Sequence, residues 1–96
     1  MLLVATLSVE RDKLDAFRAY EHKAAAIMRT HGGAIEKAYL LDDGDDIIRE
    51  IHIVRFSDRE SLDRYRADPA LSALSAERKS CIVGTEMVQA SDGPAY

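Results

Sequence analysis

The chain has 96 residues, 17 acidic and 13 basic, with a net charge of −4 when histidine is neutral. That length makes one domain whose single core is sufficient but not generous, so a partner surface would help. The acidic balance and the lack of a basic run exclude a nucleic-acid backbone or an anionic membrane as the main ligand, and the lone Cys81 cannot close an internal disulfide, which fits a reduced, cytoplasmic setting.

Met1 to Leu7 is apolar but has no basic segment before it and no cleavage site, and it is far too short to span a membrane. It reads as part of a first strand, Leu2 to Ser8, with Leu3, Ala5 and Leu7 on one side and Leu2 and Val4 on the other. Apolar residues on both sides make this strand central in its sheet. From about Arg11 the spacing becomes helical, with Leu14, Phe17, Ala24 and Met28 along one stripe and Tyr20, Glu21, Ile27 and His31 flanking it. Gly32-Gly33 ends this helix by supplying the left-handed conformation that other residues resist. A second strand runs from Ala34 to Leu41, and Asp43-Gly44 turns the chain into a third, Ile47 to Phe56.

That third strand alternates, Ile47, Arg49, Ile51, Ile53 and Arg55 facing one way and Ile48, Glu50, His52, Val54 and Phe56 the other. Both faces are apolar enough to be covered. Ser57 and Glu60 have the spacing of a capping box, which predicts a helix from Asp58 with Leu62 and Tyr65 inward. Asp68-Pro69 reads as a second cap with proline in the first turn, and Leu71 and Leu74 continue the apolar stripe. A fourth strand follows from about Cys81 to Gln89, and residues 91–96 form a loose tail to a domain of residues 1–90.

The order β-α-β-β-α-β is the ferredoxin-like arrangement, an α+β fold with one four-stranded antiparallel sheet and two helices on one face. The bare face would expose a large apolar patch, so two sheets packed face to face, a homodimer, are expected. Arg49 and Arg55 would then point into the seam, to pair with Glu36, Glu86 or the second copy.

The segments FRAYE (Phe17 to Glu21), His31-Gly32-Gly33, EIHIVRF (Glu50 to Phe56) and YRADP (Tyr65 to Pro69) resemble the small dimeric α/β-barrel proteins of the domain-of-unknown-function family thirteen-thirty. They resemble, more distantly, the antibiotic-biosynthesis monooxygenases and the muconolactone isomerases. The resemblance implies a dimeric α/β barrel, often with a ligand cleft between sheet and helices. It does not by itself transmit a chemistry.

The residues offer one catalytic constellation. His52 meets either the helix-facing cleft or the dimer seam: with Phe56 under the helices, His52, four residues earlier on the same parity, looks toward the first helix near Glu21, whereas a one-residue shift of parity would send it into the seam. An imidazole oriented by a carboxylate in a desolvated cleft is suited to abstracting a proton next to a carbonyl, while the plain structural reading is a polar contact tying helix to sheet. Tyr20 and Tyr65 would donate hydroxyls to a ligand oxygen, or else simply pack at core spacing, and Phe17 and Phe56 would supply the apolar wall. His31 is expected to bond the last helical carbonyls and His22 to face solvent. The acidic run from Asp42 to Asp46 lacks the alternating ligands and distal glutamate of a calcium loop and reads as a solvated hairpin. No histidine, cysteine or carboxylate set has metal spacing, and no glycine-rich loop opens a helix, so neither a metal nor an organic cofactor is expected. Two readings stand: a cofactor-free enzyme acting on a small apolar or aromatic carbonyl compound, or a non-catalytic dimeric module that binds a small ligand or stabilises a partner.

Overall fold

The computed structural model describes all 96 residues. Strand β1 (Leu2–Glu10) is followed by a 3-10 turn (Arg11–Lys13), helix α1 (Leu14–Thr30), the hairpin of β2 (Gly33–Leu41) and β3 (Ile47–Phe56), three short helices α2 (Arg59–Ala67), α3 (Pro69–Ser72) and α4 (Ser75–Cys81), and β4 (Ile82–Ala90). The sheet order is β2-β3-β1-β4 and every pairing is antiparallel, the ferredoxin-like topology with β1 and β3 in the middle. The expectation of an extended first helix from Arg11 is shortened by the 3-10 turn, and the fourth strand starts one residue late because Cys81 closes α4. No helix is long and apolar enough to cross a membrane.

Register fixes which residues share a face. Val4 sits opposite Ile53, Ala5 opposite His52 and Leu7 opposite Glu50. The side under the helices therefore carries Leu3, Ala5, Leu7 and Val9 from β1 with Ile48, Glu50, His52, Val54 and Phe56 from β3. Most of the apolar residues of that side pack with the helices and β4 into two buried clusters. Leu7, Val9, Phe17, Tyr20, Ala24, Cys81 and Ile82 form one, and Leu3, Met28, Val54, Phe56 and Leu62 form the other.

The opposite side of the sheet has no layer upon it. The molecule is only 16 Å deep along its shortest axis, and Leu2, Val4, Ile51 and Ile53 lie half-buried there with Tyr39, Leu41, Ile47 and Val88 exposed. Arg55 on this face reaches Glu36, Nε to Oε1 at 2.8 Å, one of the pairings its parity allowed.

Glycines and caps set the turns around the site. Gly32 takes φ +74°, the left-handed conformation that ends α1. Gly33 is needed for space, since a Cβ there would stand 2.4 Å from the Phe56 ring. The capping box expected from Ser57 and Glu60 is displaced by one residue: Asp58 is the cap of α2, its Oδ1 accepting from the Ser61 amide at 2.8 Å. With the cap one position later, the donor satisfied is the Ser61 amide in place of that of Glu60, and the Ser57 hydroxyl donates instead to the Gly32 carbonyl at 3.3 Å. His31 likewise departs from the expected carbonyl contacts, its Nε2 lying 2.7 Å from Asp68 Oδ2. Asp68 also caps α3 through the Ala70 amide at 2.8 Å, so this residue pins the end of α1 to the start of α3. The hairpin acids are gathered by Arg11, whose guanidinium forks onto Asp42 at 2.6 and 3.0 Å and holds that carboxyl down at about 2.

Candidate functional site

The two apolar clusters do not close on each other. A cavity of about 390 Å³ opens between the sheet, α1 and the α2–α4 segment, with mainly apolar walls that include Leu3, Met28, Val54, Phe56, Leu62 and Leu71. Its size is that of a small-molecule site. Its polar residues are few: Tyr20 and Glu21 from α1, His52 from β3, Tyr65 and Arg66 from α2, Ser72, Ser75 and Arg78 beyond it, and Thr85 from β4.

His52 is 4% exposed. Its Nε2 lies 2.7 Å from Glu50 Oε1, and its Nδ1 lies 4.0 Å from Glu21 Oε2. The expected partner, Glu21, is therefore near but beyond hydrogen-bond length, and the direct bond goes to Glu50. Strand parity had already put Glu50 on the face of His52, two residues away, and a glutamate is long enough to span that step along the strand. A carboxylate can only accept, so in the neutral ring Nε2 carries the proton and Nδ1 keeps its lone pair on the side of Glu21. His52 and Glu21 also line a second, lateral cavity of about 290 Å³ together with Glu50, His22 and Arg18. The imidazole thus stands as a partition between the interior cavity and an opening at the flank of α1.

Burial raises the carboxyl of Glu21 above its ordinary value and the neighbouring Glu50 adds to this, while His52 and Arg78 oppose it. Burial also raises both tyrosine hydroxyls, Tyr65 most. Each phenol accordingly stays protonated and able to donate. Tyr65 stacks at a tilt on Phe56, with ring centroids 5.6 Å apart.

Of the residues expected to bind substrate, Tyr20, Tyr65 and Phe56 line the central cavity. Phe17 does not: it is fully enclosed in the larger cluster, with its ring 6.4 Å from that of His52, and borders only the lateral cavity. Its place at the centre of the α1 stripe turns it straight down onto the sheet, where packing consumes all of its surface. His22 is exposed, as its helical angle requires. Sequence reasoning passed over Arg78 as well as Glu50. Arg78 sits on α4, a helix of seven residues whose pattern is too short to show periodicity.

No family model and no curated protein matches the chain. Solved structures do. A protein assigned as an antibiotic biosynthesis monooxygenase from Bacteroides thetaiotaomicron superposes with a TM-score of 0.72 at 15% identity, covering 96% of this chain and 88% of the other. SnoaB, a cofactor-independent oxygenase from Streptomyces nogalater, gives 0.67 at 15% identity over 96% and 94%. A NIPSNAP-family protein of unknown function from Agrobacterium tumefaciens gives 0.72 at 20% identity over 91% and 82%. At these identities the likeness is one of fold: the chain has the ferredoxin-like fold of the antibiotic-biosynthesis-monooxygenase-like and NIPSNAP proteins.

Proposed function

We propose that the protein is a cofactor-free enzyme that removes a proton next to the carbonyl group of a small apolar or aromatic compound, with His52 as the base. The observation that carries this reading is the buried imidazole between Glu50 and Glu21, facing a mainly apolar cavity. Glu50 holds the ring, Nδ1 takes the proton, and the Tyr20 and Tyr65 hydroxyls donate to the oxygen on which negative charge develops. The carbanion so formed is either reprotonated at another carbon, an isomerisation, or passes its electrons to dioxygen. The oxygenase chemistry stated for SnoaB supports including the second outcome.

The working unit in this reading is a homodimer closed through the bare sheet face. Leu2, Val4, Ile51, Ile53 and Val88 form an apolar patch on it that a second copy would cover by the same surface. A cytoplasmic location accords with the single buried thiol of Cys81.

The test is a thermal-shift screen of aromatic carbonyl compounds, followed by turnover of the hits by the wild-type protein and by His52→Ala. A native-state ligand raises the melting temperature by mass action. The variant should lose about a hundred- to ten-thousand-fold in rate while remaining folded. Equal turnover by both proteins would remove His52 from the mechanism. Stabilising ligands that are never turned over would favour the alternative, a non-catalytic binding module.

A further inference from the structure

Arg78 is the only arginine of the chain that is not exposed. It forms no ion pair with any carboxylate, although acids outnumber bases in the chain and every other ion pair of an arginine is made at the surface. Its Nη2 donates to the Thr85 hydroxyl at 2.6 Å, a contact that orients the guanidinium without neutralising it. The guanidinium also interacts with the Tyr20 hydroxyl, and its other N–H groups have no protein partner. It lines the cavity, and its charge opposes the effect of burial on Tyr20, Glu21 and Tyr65, which line the same wall. Glu21, within electrostatic reach, is the carboxylate of the cavity wall that senses this charge, but it forms no direct ion pair with it, so the guanidinium still has donors for an arriving anion. Ser72, Ser75 and Arg66 line the same cavity and add donors.

The sheet fixes how far this charge lies from the base. β3 and β4 flank β1, with His52 opposite Ala5 and Thr85 opposite Leu7. His52 and the Arg78 anchor therefore stand two strand spacings apart across the sheet and two residues apart along it, about 12 Å in all.

We propose that the Arg78–Thr85 end of the cavity is a carboxylate subsite, and that the ligand is an aromatic acid of roughly bicyclic size. Its carboxylate takes the fork of Arg78 while its far edge lies against His52. This rests on the cavity being the ligand site, and it narrows the substrate from apolar carbonyl compounds to those that also carry an acid group. Arginine suits this task because its planar donors match both oxygens of a carboxylate.

The experiment compares 2-naphthoate with 2-naphthalenemethanol, its neutral counterpart, by calorimetric titration of the full chain. Wild-type protein should bind the acid about ten- to a hundredfold more tightly than the alcohol, the range expected for a hydrogen bond to a charged group. Arg78→Met should bring the acid down to the level of the alcohol and leave the alcohol unchanged. Arg78→Lys should keep part of the preference, and Arg78→Gln serves if the methionine variant does not fold. Equal binding of the two compounds by the wild type, or an undiminished preference in Arg78→Met, overturns the carboxylate subsite while leaving the cavity as a ligand site. Failure of the wild type to bind either compound overturns both.

Discussion

The two faces of β3 are built from one stretch of ten residues and solve opposite problems. Under the helices, Ile48, Val54 and Phe56 are all but sealed, yet between them Glu50 and His52 occupy buried space with charge-bearing groups. On the other side, Ile51 and Ile53 are half-buried under nothing at all, beside exposed Ile47. The inner face gives up packing to keep a cavity with a titratable wall. The outer face keeps apolar surface that one copy of the chain has no means of covering. A fold that only had to be stable would reverse both choices, filling the inner gap with aliphatic side chains and placing polar residues outside. On the proposed reading, the difference gives ligand chemistry to one face and association to the other.

The largest effect should come from charging the outer face. Ile53→Glu, or Ile51→Glu, places two carboxylates in the seam because a two-fold interface repeats every substitution, and each unpaired charge there costs several kcal/mol. Light scattering at low micromolar concentration should report twice the chain mass for the wild type and one chain mass for the variants. A monomeric wild type, or variants that remain dimeric, would break the assignment of that face.

On the inner face, Phe56→Ala should destabilise the fold by about 3–5 kcal/mol, measured by denaturant unfolding, since the ring is enclosed by Met28, Gly33 and Tyr65. A cost near 1 kcal/mol would mean that the second cluster is looser than its burial indicates.

Glu21→Gln sharpens the comparison through its sign. The folded chain raises the Glu21 carboxyl, chiefly by burial, so the native state holds this proton more firmly than the unfolded chain does. Stability contributed by Glu21 is then greatest at low pH, declines as pH rises from the ordinary glutamate range through the raised folded value, and stays diminished above it. Removing the ionisable group should raise the melting temperature at neutral pH, and the gain should vanish toward about pH 3, below the ordinary glutamate value, where the carboxyl is protonated in both states. A variant less stable than wild type at neutral pH would show that the ionised Glu21 is held by favourable contacts.

Smallest of all should be Arg55→Ala. Arg55 and Glu36 are paired at 2.8 Å but largely exposed, and such pairs contribute about 0–1 kcal/mol. A larger loss in the dimer than in an Ile53→Glu monomer would show that the pair lies within the association face.

How much of this was legible in the sequence depended on the period of each element. β1 and β3 are long, and their two-sided apolar pattern was enough to make β1 central and β3 covered on both faces, while the face of His52 hung on a parity that Phe56 fixes. α1 is 17 residues long, and its stripe gave Phe17, Ala24 and Met28, all buried, and Leu14, partly so, while Tyr20, read as flanking the stripe, is buried too. The errors came where a single residue decides. Asp58 and Ser57 are both competent caps, and only the backbone path selects the aspartate. The site was legible in its face but not in its contacts. Parity put Glu50, His52 and Phe56 together, yet the choice between Glu21 and Glu50 as partner turns on a difference between 4.0 and 2.7 Å that no pattern carries. Arg78 was hidden because its value lies in having no carboxylate paired with it, a property of the assembled cavity rather than of the stretch that contains it.

The central claim is that His52 presents a basic nitrogen to the cavity because Glu50 holds the other one. Long-range nitrogen–proton correlation spectra of 15N-labelled protein test it without any substrate, at a pH where the ring is neutral. The account predicts one tautomer for His52, with the proton on Nε2, and its conversion to a mixture in Glu50→Leu. A proton resident on Nδ1 in the wild type, or a tautomer indifferent to the loss of Glu50, would contradict it.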